Sequence, residues 1–457
     1  MKKIQYFIAL WAAKTAQCLM KLLGRNATYL PGKIAVKLCK DFLAHLTPPK
    51  TVVAVTGTNG KTTVSNLLSS ILTENGYSIT NNSFGSNVQA GVISALVEDT
   101  TIFGKPKKDI AILEVDERSS LLIYPYLKPD YLVCNNIMRD SLKRNAHTEF
   151  IRYIIDKALP ASTKLILNAD DLICSSLGSA GQTKVFFGLE AEIPAVSQPQ
   201  HIKDIVYCPK CGALLESEYV RYNHIGRHYC PGCDLRSAKP DYIVTGIDRE
   251  QETFTLTHNA EAYTYNLIND NIVNVYNFGA VIALLTELGL THEQISKGFA
   301  RSKIVKTRYE EIDTKKLHIT MLMAKGQNPI ACARCYDYVA KIPTQNKAII
   351  FVVDDAGDNV GNSESTCWLY DCDYSALADP SIDQLIFCGP RCKDHLLRAQ
   401  LAGVSRDKIK IVEKNEDAAP ALDTDRSKDV YVLYELYRAP DAAIVKNALI
   451  TIGNQEG

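Results

Sequence analysis

The stretch Thr51–Thr63, TVVAVTGTNGKTT, carries a run of valines into two glycines, a lysine and two threonines. Gly57 and Gly60 let the backbone curl so that the N–H groups of Gly57, Thr58, Asn59 and Gly60 face phosphate oxygens. A helix that starts at Lys61-Thr62-Thr63 would add its positive N-terminus. In that pattern the lysine reaches the β- and γ-phosphates and the Thr62 hydroxyl serves Mg²⁺. The full phosphate-loop pattern wants a glycine where this chain has Val55, so only the tail of the pattern matches. The metal also needs carboxylates. Glu114, Asp116 and Glu117 follow the apolar run Asp109–Val115, and Glu114 is the expected metal holder, unless these acids merely face solvent.

A second constellation is Cys208-Pro-Lys-Cys211 and Cys230-Pro-Gly-Cys233, two C-x₂-C knuckles with 18 residues between them. The spacing fits a structural Zn²⁺ ribbon with four thiolates, which fills the tetrahedron and leaves no open position for catalysis. His224 and His228 lie between the knuckles and are alternative ligands; a pair of redox disulfides is a further alternative. The other ten cysteines fall mostly in expected strands and helices and read as small packing residues, Cys332 and Cys335 on a helix among them.

These residues need a scaffold. Residues 1–48 read as a helical segment broken at Tyr29-Leu30-Pro31-Gly32. From Thr51, β-branched runs alternate with helical stretches, the signature of a parallel sheet covered on both faces. Strands are expected at Thr51–Thr56, Asp109–Val115, Tyr131–Cys134 and Lys164–Leu167, and Thr62–Asn75 is expected to be helical. An insertion spans about residues 200–240, residues 241–267 alternate like antiparallel strands, and a helix covers Asn274–Leu288. A second α/β series fills 301–457, with five strands expected from Leu317 to Tyr434, and suggests a Rossmann-like domain. The fold class is therefore α/β: a central phosphate-loop domain over 49–300 with an inserted ribbon, then a C-terminal domain.

Composition narrows the function. In 457 residues, 51 basic and 51 acidic side chains balance, and no basic excess supports bulk binding of nucleic acid. Fourteen cysteines at uneven spacing do not describe a secreted disulfide scaffold, so a reduced, cytoplasmic setting is expected. The N-terminus opens like a signal peptide with Lys2, Lys3 and the apolar run Ile4–Ala13. Lys14 ends the run without a cleavage site, and apolar residues continue at helical spacing. An amphipathic helix packed on the body, with at most peripheral contact with the inner membrane face, is the reading; no run is long enough to span a bilayer.

TGTNGKTT, LEVDE, NNIMRD and LNADD, in this order, resemble the Mur ligases, ATP-dependent enzymes of peptidoglycan synthesis. Within them the chain is similar to the MurT subfamily in three further features: Leu30-Pro-Gly-Lys33 ahead of the loop, the four-cysteine insertion, and Trp368-Leu-Tyr-Asp-Cys-Asp373. The resemblance runs from about residue 20 to the end. It implies ATP-dependent phosphorylation of the D-glutamate α-carboxylate of the lipid II stem peptide, then attack by ammonia to give D-isoglutamine. It also implies a heterodimer with a GatD-like glutaminase that supplies the ammonia. By the same resemblance Asn274, with Asn277 beside it, serves the adenine, and Arg308 lies near phosphate.

The chain departs from the subfamily in one loop. The acid expected three residues before the tryptophan, which completes the partner's catalytic dyad, is Ser365 here. Asp358 or Glu364 could supply it from a longer loop; otherwise both are turn-forming acids. Alternatives to amidation are a Mur-like ligase that adds an amino acid to a peptide or folate-like substrate, and a non-catalytic ATP-binding module.

Overall fold

The computed structural model describes residues 2–82, 86–140, 145, 147–193, 203–302, 309–324, 328–354 and 366–455. The chain divides into two units. The first holds Met1–Met138, His147–Pro199 and Lys203–Ile304; the second holds Arg139–Ala146, Gln200–Ile202 and Val305–Gly457.

The first unit begins with α1 (Lys2–Leu22) and α2 (Leu30–Leu38). The expected break at Tyr29–Gly32 is displaced: the chain leaves the helix at Leu23–Tyr29, and Pro31-Gly32 lie inside the first turn of α2. Proline fits there because the first turn needs no N–H from it. Gly32 fits because a Cβ would stand 1.8 Å from the carbonyl oxygen of Ala90. The Gly32 N–H instead donates to Ser94 Oγ at 2.8 Å, which docks α2 on α4 (Gln89–Glu98).

A nine-stranded sheet follows, built from β1 (Thr51–Thr56), β2 (Ile79–Asn81), β3 (Ile110–Glu114), β4 (Tyr131–Cys134), β5 (Lys164–Asn168), β6 (Lys184–Leu189), β9 (Tyr242–Asp248), β10 (Thr253–His258) and β11 (Glu261–Asn266). Its order is β11-β10-β9-β6-β5-β4-β1-β3-β2. Pairs from β2 to β9 are parallel, and β9-β10-β11 is an antiparallel extension. Strand β3 is buried at all five positions, as a parallel strand covered on both faces must be. Helix α3 (Lys61–Glu74) leaves β1 directly, and α6 (Ile272–Glu287) packs on α3, β5 and β6. Between β6 and β9, the hairpin β7 (Glu216–Tyr222) and β8 (Ile225–Tyr229) forms its own two-stranded sheet, the expected insertion. Two further long helices, α5 (Thr148–Ala158) and α7 (His292–Arg301), belong to this unit, with helices of three or four residues among its loops.

The second unit is a six-stranded sheet in the order β12-β13-β17-β14-β15-β16. Its strands are β12 (Tyr309–Asp313), β13 (His318–Met323), β14 (Lys347–Val352), β15 (Ile382–Cys388), β16 (Ile409–Val412) and β17 (Asp429–Tyr434). All pair in parallel except β12, an antiparallel edge strand that the sequence pattern did not reveal. Apolar side chains cover both faces of the sheet, with α8 (Pro329–Lys341) and α9 (Cys392–Leu401) contributing to one core and α10 (Ala439–Asn454) to the other.

Candidate functional site

The turn between β1 and α3 is held by the segment that follows β4. Asn136 grips Asn59 twice, accepting from its backbone N–H at 2.9 Å and donating to its carbonyl at 3.0 Å. The Thr58 hydroxyl donates to the Met138 carbonyl at 2.9 Å and accepts from the Met138 N–H at 2.8 Å. Gly57 and Gly60 have φ of 116° and 91°, a region that favours glycine. A Cβ on Gly60 would meet Asn277 Oδ1 at 2.2 Å, and one on Gly57 would meet the Asn136 carbonyl at 2.8 Å. The loop is therefore held in one shape with its helix N-terminus open, and Lys61, Thr62 and Thr63 form the first turn of α3.

The strand-end acids divide. Glu114, the last residue of β3, is buried and accepts from the Thr62 hydroxyl through Oε2 at 3.1 Å. Its Oε1 is buried with no hydrogen-bond partner. Burial pushes its carboxyl above the usual range, against the pull of Thr62 and Lys61. Asn82 fixes the end of the strand by accepting the Glu114 N–H at 2.8 Å and donating to its carbonyl at 3.0 Å. Glu117 faces Lys61, with Oε1 3.0 Å from Nζ, and Lys61 also donates to the Gly57 carbonyl. Asp116 turns away and caps the following short helix by accepting the Arg118 N–H. A hydroxyl and a buried carboxylate oxygen side by side, with a second carboxylate oxygen unsatisfied, suit a divalent cation.

A row of amides continues from the loop. Asn135 Nδ2 donates to Asn277 Oδ1 at 2.6 Å, Asn277 Nδ2 to Asn274 Oδ1 at 3.2 Å, and Asn274 Nδ2 to Asn269 Oδ1 at 2.8 Å. The N-terminal turns of α6 are thus tied to Asn135, Asn277 lies against Gly60, and Asn274 is one amide further from the loop. Asn135 and Asn136 were not singled out from the sequence, although NNIMRD contains both; their partners lie far along the chain.

The four insertion cysteines converge. Their sulfurs all lie within 4.8 Å of one another, with Cys208–Cys233 at 3.6 Å and Cys211–Cys230 at 3.4 Å. A Cβ on Gly232 would stand 3.3 Å from the Cys211 sulfur, so glycine leaves the cluster its room. Burial raises the Cys208 thiol, but the backbone N–H groups of Cys211 and Lys210 and the thiols of Cys230 and Cys233 together outweigh it and hold the thiol below its usual range, at about 7. His224 and His228 do not join the sulfurs. His224 Nε2 lies 3.1 Å from Asp171 Oδ1, and His228 donates from Nε2 to the His224 carbonyl at 2.7 Å. Of the other cysteines, Cys39, Cys134, Cys174, Cys332, Cys372, Cys388 and Cys392 are buried and Cys335 is half-buried, whereas Cys18 and Cys367 are exposed rather than packed. Cys39, Asp41 and His45 also cluster, but Lys2 Nζ occupies Asp41 Oδ2 at 3.3 Å, a poor setting for a cation.

In the second unit, Asp354 lies buried just beyond the C-terminal end of β14. Its Oδ2 accepts the Arg391 N–H at 3.0 Å, and its Oδ1 lies 3.4 Å from His395 Nε2. The other ring nitrogen of His395 meets the Tyr374 hydroxyl at 2.7 Å. His395 and Tyr374 gave no motif signal. Arg308, Asp358 and Glu364 lie outside the described residues.

Known proteins sharpen this picture. Residues 55–214 match the Mur ligase middle domain, and residues 326–438 match the MurT ligase C-terminal domain. A MurT subunit of lipid II isoglutaminyl synthase (glutamine-hydrolyzing) from Staphylococcus aureus (strain COL) is 31% identical over 91% of this chain and 93% of its own length. The chain belongs to the MurT family of Mur ligases. A MurT subunit from Streptococcus pneumoniae (strain ATCC BAA-255 / R6) is 26% identical over 93% of each protein. Among solved structures, a pseudomurein peptide ligase type C from Methanothermus fervidus superposes with a TM-score of 0.66 at 21% identity, covering 90% of this chain and 81% of that one. MurF from Acinetobacter baumannii gives 0.62 at 15% identity, covering 92% and 80%. These likenesses carry the Mur ligase α/β fold with its parallel sheets, to which this MurT family member conforms.

Proposed function

We propose that the chain is the synthetase subunit of a lipid II isoglutaminyl synthase. It amidates the D-glutamate α-carboxylate of the lipid II stem peptide to D-isoglutamine at the expense of ATP. The supporting observation is the pairing of Thr62 with the half-satisfied, buried Glu114 beside the glycine loop, in a chain whose MurT relatives match nearly end to end.

In this reading the substrate carboxylate attacks the γ-phosphorus of ATP, the β–γ bridging P–O bond breaks, and ADP leaves. Ammonia then attacks the acyl carbon of the acyl phosphate, phosphate leaves with the C–O bond electrons, and the nitrogen gives up a proton. Backbone N–H groups from Gly57 to Gly60 and the N-terminus of α3 receive the phosphates. Lys61 meets charge that builds on the transferred phosphoryl group. Thr62 and Glu114 are the residues to hold Mg²⁺, which supplies charge neutralisation and in-line orientation of the phosphoryl group. Asn274 serves the adenine and Arg308 a phosphate. Cys208, Cys211, Cys230 and Cys233 hold Zn²⁺ as a closed structural site.

The domain reading is an N-terminal helical segment over 1–48, an ATP-binding domain over 49–300 and a Rossmann-like domain over 301–457. The partner is a GatD-like glutaminase in a heterodimer, to which Glu364 or Asp358 offers an acid that orients a histidine. The location is the cytoplasm; among the described residues, no helix is long and apolar enough to cross a membrane.

The test supplies the purified chain with ATP, lipid II and either ammonium or free amino acids. Amide formation and ADP release with ammonium are expected; incorporation of an amino acid alone would replace this reading with that of an amino-acid-adding ligase. With the glutaminase present, Glu364→Gln or Asp358→Asn is expected to depress glutamine-dependent amidation while ammonium-dependent amidation persists.

A further inference from the structure

The whole chain is electrically neutral, but its charge is not evenly spread. Residues 1–40 contain eight Lys or Arg side chains and no Asp or Glu, which leaves the remaining residues with an excess of eight acids. This basic segment forms α1 and α2. Helix α1 packs inward through Tyr6, Ala9, Leu10, Ala13 and Gln17, and Gln17 Nε2 donates to the Ser94 carbonyl at 3.1 Å.

The opposite side of α1 is also apolar. Ile4, Ile8, Trp11, Leu19 and Leu22 are each more than half exposed. At about 100° per residue they fall within one stripe about 100° wide, and Lys3, Lys14 and Lys21 line one flank of it. A helix that buries one apolar face needs no second one for the fold. One of the basic side chains, Lys21, pairs with Glu98, and Lys2 pairs with Asp41, but Lys3, Arg25, Lys33, Lys37 and Lys40 carry no ion pair among the described residues.

A loop extends this stripe. The Trp11 indole N–H donates to the Ile102 carbonyl at 2.9 Å, and Gly104 sits against the rings of Tyr6 and Phe7. That contact places Ile102 and Phe103 beside the helix, with Phe103 74% exposed. Lys105, Lys107 and Lys108 follow directly in the sequence.

We propose that α1 and the Ile102–Lys108 loop together form a docking surface for an anionic lipid bilayer, with α1 lying in the plane of the interface. Exposed Ile, Leu, Trp and Phe would enter the headgroup–acyl boundary while the lysines meet anionic headgroups. Charge complementarity selects the occupant: Lys3, Arg25, Lys33, Lys37 and Lys40, which form no ion pair among the described residues, together with the lysines of the loop fit a surface of uniform negative charge. The inference deepens the proposed function and rests on it for its purpose, to bring the enzyme to a lipid-carried substrate.

The test is flotation of the full chain with vesicles of phosphatidylglycerol and phosphatidylcholine, without lipid II or nucleotide. Binding is expected to the anionic vesicles and to fall at least tenfold on pure phosphatidylcholine or in 0.5 M salt, an order-of-magnitude expectation from screening. The chain has two tryptophans, and Trp368 is buried, so a blue shift of emission on binding reports Trp11. Ile8→Glu and, independently, Phe103→Ser should abolish flotation while circular dichroism and ammonium-dependent amidation of detergent-dispersed lipid II stay as in the wild type. Three results would overturn the proposal: a folded wild-type chain that fails to float, variants that float as well as wild type, or a self-associated or glutaminase-bound form in which this face is covered and flotation is lost. Flotation by a chain that shows no amidation would instead remove the proposed function and leave the docking surface standing.

Discussion

Lys61 Nζ lies 3.0 Å from Glu117 Oε1, in a setting where the two side chains are only 12% and 4% exposed. The acid is three residues beyond Glu114, so one strand end serves two members of the loop: Glu114 takes the Thr62 hydroxyl and Glu117 takes the Lys61 ammonium. An ammonium this enclosed needs a counter-charge, and Glu117 supplies it and aims the ammonium across the loop.

Lys61→Met is therefore expected to lower kcat/KM for ATP-dependent amidation by about 10³-fold or more, since it deletes charge at the transferring phosphoryl group. Glu117→Gln keeps the lysine but loosens its aim, and a smaller loss of about tenfold is expected. Steady-state kinetics of ADP release with ammonium as nitrogen donor would rank the two; equal losses would show that Glu117 contacts the chemistry itself.

Glu114→Gln removes a buried carboxyl whose ionisation the surroundings oppose. Its melting temperature should match or exceed the wild type, as often happens when a functional charge is removed from the interior. Activity should fall by about 10²-fold, with a higher Mg²⁺ concentration needed for half-maximal rate. Thermal melts and Mg²⁺ titrations of the same preparations would check both halves.

The cysteine cluster predicts about one zinc per chain by elemental analysis, and its loss in Cys211→Ser or Cys230→Ser. Replacement of zinc by cobalt should give the absorption of a tetrahedral tetrathiolate site. Because the ligands are all protein sulfurs, metal-free protein should lose protection of β7–β8 in hydrogen exchange before the nine-stranded sheet.

His258 and His292 define a pH response of the antiparallel extension. Their ring nitrogens Nδ1 and Nε2 approach to 3.4 Å, and their rings stack on Tyr242 and Tyr263 respectively. Burial lowers both, and for His292 the neighbouring His258 adds to the effect. With folded values depressed, the unfolded chain binds more protons, so stability is full above the unfolded histidine value of about 6.5 and falls as pH drops through the folded values. Melting temperature should decline from pH 7 to pH 5 (pH points chosen around the ordinary histidine range), and the decline should shrink in His258→Gln with His292→Gln.

What the sequence disclosed follows from how locally each feature is encoded. Lys61, Thr62 and the strand that delivers them sit within a dozen residues, so spacing alone describes the turn. The two C-x₂-C knuckles are as local, and their sulfurs meet. Asn135 and Asn136 were silent because their value lies in contacts with Asn59 and Asn277, far away along the chain. His395 and Asp354 meet only through the packing of α9 on its sheet. Pro31-Gly32 misled because a breaker pair reads as a loop, while in the first turn of a helix proline is permitted and glycine answers a close approach by Ala90. The edge strands β2 and β12 lacked a continuous apolar run to announce them, whereas β6 carries one, Val185-Phe186-Phe187, short enough to be passed over.

Asp170 and Asp171 show what the inserted hairpin has become. Asp170 accepts from the Tyr276 hydroxyl of α6 at 2.7 Å, and its carbonyl takes the Gly226 N–H of β8 at 2.7 Å. Asp171 accepts the Ile137 N–H at 2.7 Å, one residue from the Asn136 that grips the glycine loop, and also meets His224 at 3.1 Å. A segment that looks like an appendage in the chain is thus a keystone. A protein engineer who excised residues 200–240 to obtain a minimal ligase would take the Tyr219 hydroxyl and Arg227 from Asp170 and His224 from Asp171, leaving the Tyr276 hydroxyl and backbone N–H groups to hold the two buried carboxylates. A shortened enzyme would have to restore a partner to each acid, because the Asp171 carboxylate also holds the segment that grips the glycine loop.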